Sequence, residues 1–330
     1  SQEGSVFFLP VLGRVADHPD KNHPCPPLNA TTPQPFYVVG PTGSGKSALA
    51  IALANQWGGE IVNADAFQLY RGLDICTAKP TASESALAPH HLYGVLAPTE
   101  LCDAAFFAEL AKPVIADIAS RGAVPIVVGG SGLYIKALTH GLSALPSDEG
   151  LRRRLSHLTT GERVAWLLAR DPHASTTVNL KNDRYVTRAL EICLLTGKRQ
   201  SDLRRAWQDR VPEYNGIQLA WERDALHHRI NQRVHAMVAA GLVDEIRKAV
   251  ELSATAEKAI GVREVRDHLR GRLSLEEAVA AIQLASRQYA QRQVKWFRRE
   301  KGFVPVEIME GVALKELVSK ADGVRLAWQQ

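Results

Sequence analysis

One stretch, Gly40 to Ser47 in "GPTGSGKS", limits the architecture more than any other. It fits G-x-x-x-x-G-K-[ST], in which glycines let backbone N–H groups wrap around phosphate oxygens. Such a loop needs a strand to deliver the chain to it. It also needs a helix to begin at its end, because the helix N-terminus adds favourable partial charge. Both flanks are present: "FYVVG" is a short apolar run, and "KSALAIALANQW" reads as a helix. Gly40, Pro41, Thr42, Gly43, Ser44, Gly45, Lys46 and Ser47 are therefore the expected phosphate-binding residues. Lys46 would neutralise the outer phosphate of a nucleotide such as ATP, or of another diphosphate, and the Ser47 hydroxyl would meet Mg2+. The motif does not choose the phosphate compound.

Strand and helix alternate from Phe36 onward. "EIVNAD" and "VPIVVGG" read as strands, and "DAAFFAELAKPVIADIASRG" and "SGLYIKALTHG" as helices. That alternation predicts an α/β fold, a P-loop NTPase-like parallel sheet with helices on both faces. After "LSALPSDEG" the strands stop. Short Arg-rich helices ("LRRRLSHL", "GERVAWLLARD", "RYVTRALEICLLTG", "RQSDLRRAW") fill the chain to about residue 212. "NGIQLAW" then supplies one more strand, and long helices are expected to the end. The helical block reads as an insertion. The expected division is a core of residues 35–142 and 214–330 with an inserted all-helical subdomain at 143–213. Seven of the 17 prolines fall within residues 1–35, so residues 1–34 are expected to be a disordered Pro-rich tail.

Charge is distributed unevenly. Residues 1–150 hold 8 Lys and Arg against 13 Asp and Glu, whereas residues 151–330 hold 32 against 22. A later half that is net positive by 10 suggests a polyanionic partner. No run approaches the roughly 18 apolar residues that cross a bilayer, so no membrane is expected. The cysteines (Cys25, Cys76, Cys102, Cys193) form no CxxC pair. That argues against a zinc module or a disulfide frame and suits a reducing cytoplasm. The chain is expected to act as a monomer.

A P-loop hydrolase usually carries its Mg2+-binding Asp at the end of a later apolar strand, but "VPIVVGG" ends in glycines. Asp65 instead closes the second strand, at the carboxyl end of the sheet where open α/β folds bind ligands. From the residues alone this is a transferase, with the phosphate donor on the loop and the acceptor beside Asp65. A small-molecule or nucleoside kinase fits that description.

"GPTGSGKS", "NADAFQLYRGLDICTAKPT", "PHHLYGV", "VVGGSGLYIKAL" and "RALEICLLTGK" follow in the order and spacing of tRNA dimethylallyltransferases. "HHRINQRVHAMVAAGLVDEI", "KAIGVRE" and "SRQYAQRQVKWFR" extend the likeness, so the chain resembles that family over residues 36–300. The resemblance implies transfer of a dimethylallyl group from dimethylallyl diphosphate to N6 of adenosine 37, beside the anticodon. It implies that the P-loop holds the prenyl diphosphate with Mg2+, and that Lys46, Asp65, Ser131 and Arg233 are catalytic. Asp65 would take the amine proton, while Ser131 (Thr in many relatives) and Arg233 flank the diphosphate. Arg233 lies four residues after Arg229, so both fall on one helix face. By the same resemblance Asp65, Ala66, Phe67, Gln68, Arg152, Arg184, Arg188, Lys258 and Arg263 contact the tRNA anticodon stem-loop.

A basic stripe of Arg287, Gln291, Lys295 and Arg298 suits backbone phosphates. Trp296 and Phe297 are expected in the core. His227 and His228 lack metal-ligand company, and no cysteine follows Cys193, so no zinc module is expected. Two further readings stay open: a prenyltransferase acting on free adenylate, and a nucleotide-gated RNA-binding module without chemistry.

Overall fold

β1 (Phe36–Val39) is apolar at all four positions and buried throughout. Phe36 and Val38 join one core cluster and Tyr37 and Val39 another, as the two-residue repeat of a strand dictates. A strand apolar on both faces needs cover above and below and a partner on each edge. The computed structural model describes residues 32–141, 145–208 and 214–328. It completes the sheet with β2 (Gly59–Asn63), β3 (His90–His91), β4 (Val124–Gly129), β5 (Asn215–Trp221) and β6 (Val304–Ile308). The order is β3-β2-β4-β1-β5-β6, and every pairing is parallel. Of the expected Pro-rich tail, residues 1–31 lie outside the described residues.

Helices α1 (Lys46–Trp57), α2 (Ala82–Ser85), α3 (Ala104–Ser120) and α4 (Gly132–Thr139) alternate with the first four strands. Between β4 and β5 come α5 (Glu149–Ser156), α6 (Thr160–Arg170), α7 (Ala174–Thr177), α8 (Asp183–Thr196) and α9 (Gln200–Gln208). Between β5 and β6 come α10 (Arg223–Ala239), α11 (Leu242–Lys248), α12 (Val262–Leu269) and α13 (Leu275–Phe297), and α14 (Leu314–Trp328) follows β6. Residues of α1 and α14 cover the Phe36/Val38 face, and those of α3, α4, α11 and α12 the Tyr37/Val39 face. Each large side chain so buried contributes about 1.5–3 kcal/mol. None of the described helices is long and apolar enough to cross a membrane.

Register brings the functional ends together. Val39 pairs with Gly129 on one side and Gln218 on the other, and Asn63 pairs with Val128. The segments leaving β1, β2, β4 and β5 therefore emerge along one edge of the sheet.

The expectation of helices alone after β5 fails at β6. Only Val306 and Ile308 of this strand are buried. A short edge strand with a proline at its second position leaves little sequence signal. Phe297 is buried as expected, but Trp296 keeps 38% of its surface exposed.

The helices α5, α6, α7 and α8 have an apolar cluster of their own, built on Leu155, Leu167, Ala174, Val186, Leu190 and Cys193. Leu190 is fully buried there. We expect Leu190→Ala to destabilise the protein by about 2–5 kcal/mol in urea unfolding. Amide exchange should accelerate within 149–208 and stay unchanged in α1. Uniform acceleration across both would contradict a locally self-contained core.

Candidate active site

Gly43 and Gly45 hold φ of +81° and +88°, so the loop turns through the left-handed region that a Cβ disfavours. Three elements brace this turn. The Trp221 indole N–H, at the end of β5, donates to the Ser44 carbonyl at 3.0 Å. Arg229 of α10 lies 4.5 Å from the Trp221 ring and donates Nε to the Gly43 carbonyl at 3.0 Å. Gln293 of α13 accepts the Thr42 N–H at 2.8 Å and donates to the Gly130 carbonyl at 2.9 Å. The Thr42 backbone donor is therefore engaged within the protein. What Thr42 offers the cleft is its hydroxyl, which accepts from Arg233 at 3.2 Å.

Lys46 and Arg233 bring two cations to the loop. Lys46 Nζ donates to the Pro41 carbonyl at 2.8 Å. Burial pulls its ammonium down to about 8; Asp65 opposes that shift, and the neighbouring Arg233 adds to it. Burial also lowers Arg233, again against Asp65, but a guanidinium stays protonated at any ordinary pH. The Ser44 hydroxyl is buried without a hydrogen-bond partner among the described residues. An orphaned donor, a protonated lysine and two arginines around a left-handed turn fit a bound phosphate.

Asp65 is fixed from behind. Asn63, wholly buried at the end of β2, accepts the Asp65 N–H at 2.8 Å and donates to the carbonyls of Asp65 (3.1 Å) and Leu92 (3.0 Å). Oδ1 of Asp65 accepts the Phe67 N–H at 3.0 Å, which leaves the other carboxylate oxygen for an incoming donor. Ser131 Oγ accepts the Ala66 N–H at 3.0 Å and so ties this turn to the start of α4. Gln68 donates to the carbonyls of Thr77 and Ala78, both at 2.9 Å. Glu245 of α11 accepts the N–H groups of Asp74, Ile75 and Cys76 at 2.7 to 2.8 Å. The chain after Asp65 is thus held at both ends.

Two cavities meet at this carboxylate. One follows the loop and is walled by Lys46, Ser47, Tyr93 and Arg229. The other is a largely apolar chamber between α10, α13 and the segment after β2, walled by Ile230, Val234, Met237, Ile260, Ile282 and Tyr289. Thr42, Asp65, Thr77 and Arg233 line both. Burial and then Asp65 push the Tyr289 phenol up, so it remains an O–H.

Among the residues expected from the sequence, the loop Gly40–Ser47, Asp65–Gln68, Ser131 and Arg233 are brought together. Ala259 and Ile260 line the chamber, with Lys258 and Arg263 exposed on either side of them. Arg152, Arg184 and Arg188 line neither cavity. Arg152 and Arg188 instead share the fully buried carboxylate of Glu191, at 3.0 and 2.6 Å, and Arg188 also donates to the Pro146 carbonyl at 2.9 Å. Arg184 is exposed. Among the described residues no group of three or more His, Cys, Asp or Glu could hold a metal.

Sequence reasoning missed Asn63, Glu245, Tyr289 and Gln293. The last two lie in "SRQYAQRQVKWFR", and Ile282, Ser286, Tyr289 and Gln293 recur at helical spacing on one face. Polar groups recurring with Ile282 on that buried face were the available signal.

An IPP transferase family model matches residues 68–300, and an isopentenyl transferase model residues 34–96. The tRNA dimethylallyltransferase of Anaeromyxobacter sp. (strain K) is 47% identical over 302 residues, covering 87% of this chain and 98% of that protein. That of Geobacter metallireducens is 44% identical, covering 82% and 91%. The crystal structure of the Bacillus halodurans tRNA isopentenylpyrophosphate transferase superposes with a TM-score of 0.66 at 35% identity, over 89% of this chain and 97% of that one. A eukaryotic dimethylallyltransferase acting on tRNA superposes at 0.77 with 26% identity, over 88% and 79%. With a family model over most of its length and relatives this similar over more than four-fifths of it, the chain belongs to the tRNA dimethylallyltransferase family.

Proposed function

We propose that this protein transfers a dimethylallyl group from dimethylallyl diphosphate to N6 of adenosine 37 beside the tRNA anticodon. The products are N6-(dimethylallyl)adenosine and diphosphate. The observation that carries the reading is the junction, where one carboxylate and one arginine belong at once to the cavity along the loop and to an apolar chamber. A kinase needs a polar second site for its acceptor; side chains such as Ile230, Met237 and Ile282 suit a hydrocarbon chain and a base face instead.

In this mechanism the bond between C1 of the donor and its bridging oxygen breaks as the C–N bond forms. Negative charge grows on the departing diphosphate, where Lys46, Arg229, Arg233 and the Ser44 hydroxyl are arranged to receive it. The Thr42 hydroxyl accepts from Arg233 and holds that guanidinium over the loop. Ser47 would hold Mg2+, because its hydroxyl lines the phosphate cavity and makes no hydrogen bond within the described residues. When bound, Mg2+ supplies further neutralisation of the diphosphate. Asp65 accepts a hydrogen bond from the adenine amine through its unengaged oxygen and takes the proton as nitrogen is alkylated. Ser131 keeps the Asp65 turn in place. Adenosine 37 must leave its stack to reach this carboxylate. Arg152, Arg184, Arg188, Lys258 and Arg263 are the cations we assign to the stem-loop, which the protein meets as a monomer in the cytoplasm.

Two outcomes test this reading. Unmodified tRNA incubated with the protein and dimethylallyl diphosphate should yield a nucleoside heavier by one C5H8 unit, while free AMP should remain unmodified. Asp65→Ala should lower that rate by about 10²–10⁴-fold and leave tRNA affinity within a few fold. Lost tRNA binding with intact turnover would contradict the role of Asp65. The second outcome concerns pH. Donor capture needs the Lys46 ammonium, which the free protein loses as pH rises through about 8. We expect kcat/KM for the donor to be flat below that point and to fall above it, by up to about tenfold per pH unit. Lys46→Arg should remain flat across the same range, and an unshifted fall in that variant would point to another group.

A further inference from the structure

Trp296, near the end of α13, keeps 38% of its surface exposed. A Cβ added to Gly132 would lie 2.3 Å from its Cδ1 and Nε1 and 2.5 Å from its Cε2. A point almost equidistant from three successive atoms of the pyrrole ring lies over the ring face rather than beyond its edge. One face of the indole is therefore braced against the backbone of Gly132, while more than a third of the residue's surface stays open. The indole N–H has no hydrogen-bond partner among the described residues. Any residue other than glycine at position 132 would push the ring away.

The indole lines neither cavity but is tied to the reacting groups through its neighbours. Gly132 follows Ser131, whose hydroxyl holds the turn of Asp65. Tyr289, which lines the chamber with Asp65, precedes Trp296 by two helical turns, about 10 Å along the axis. Between them Arg292 lies 5.7 Å from the Tyr289 ring. Arg292, Lys295, Arg298 and Arg299 are all exposed on this end of α13. A rigid aromatic face with Arg292 and Arg299 within one helical turn of it matches an unstacked nucleobase with its phosphates, and suits an apolar protein partner poorly.

We propose that Trp296 is a stacking platform for a nucleobase adjoining the target adenosine, with the neighbouring cations on its phosphates. The inference rests on tRNA being the substrate. Withdrawing the target adenosine from the loop uncovers a face of each neighbouring base. An indole braced on Gly132 covers one of them and keeps the loop open while the reaction proceeds.

The test uses the full chain and an anticodon stem-loop carrying 2-aminopurine on either the 5′ or the 3′ side of the target. Binding to the wild-type protein should quench one of the two probes, and Trp296→Leu should abolish that quenching. Trp296→Leu should also raise the Kd for the stem-loop by about tenfold, with Trp296→Phe retaining most of the affinity. The KM for dimethylallyl diphosphate should not move, which separates a platform from a general loss of structure. Irradiating the wild-type complex with a photoreactive base at the quenched position should label the peptide containing Trp296, a result independent of how the variants fold. Wild-type affinity and quenching in Trp296→Leu, or labelling confined to other peptides, would overturn the proposal. Both would do so in a protein that still prenylates tRNA; absence of prenyl transfer by the wild type would instead overturn the proposed function.

Discussion

Gln293 joins the two turns on which the site depends. Its side chain accepts the Thr42 N–H of the phosphate loop and donates to the Gly130 carbonyl after β4. The space it occupies is available because a Cβ at Gly130 would come within 2.2 Å of its Nε2. Through this one amide, α13 holds the loop at the end of β1 at a set distance from the turn that carries Ser131. Ser131 in turn holds the backbone after Asp65. The spacing between phosphate grip and carboxylate is thus maintained by a buried polar chain, in which an unsatisfied member would cost about 1–3 kcal/mol.

The electrostatic arrangement follows from that spacing. Lys46 and Arg233 are poorly solvated and repel each other, and Asp65 alone among their close neighbours offsets the repulsion. A diphosphate in the loop would replace that partial compensation with a full one. A loop of this type usually presents a phosphoryl group for attack. Here the apolar chamber lies beyond the shared carboxylate, which suits presentation of the carbon attached to the phosphate.

Much of this was legible in short segments. "GPTGSGKS" between a strand and a helix identifies the loop because its glycines and lysine act within one turn of chain. Asp65 was legible as an acid closing a strand, and Arg229 with Arg233 as neighbours on one helix face, which the structure places on the Gly43 carbonyl and the Thr42 hydroxyl. Gln293 was not legible, because its partner Thr42 lies 251 residues away. Glu191 reads in sequence as one acid among many arginines; only the packing of α5 against α8 buries it between Arg152 and Arg188. β6 escaped because an edge strand with alternate buried residues and a proline resembles a loop. Trp296 looked like a core residue since tryptophan usually is one, and the missing Cβ of Gly132 that turns it into a surface is visible only in three dimensions.

The central claim is that the loop grips a leaving group rather than a group to be transferred. Dimethylallyl diphosphate carrying 18O in the bridging C1–O position tests this directly, with mass spectra of the tRNA nucleosides and of the released phosphates. Cleavage between C1 and oxygen, with all the label in diphosphate and an unlabelled prenyl group on the adenine nitrogen, is the predicted result. Label released in dimethylallyl alcohol, or any phosphoryl group on the RNA, would mean that the P–O bond breaks and would contradict the account.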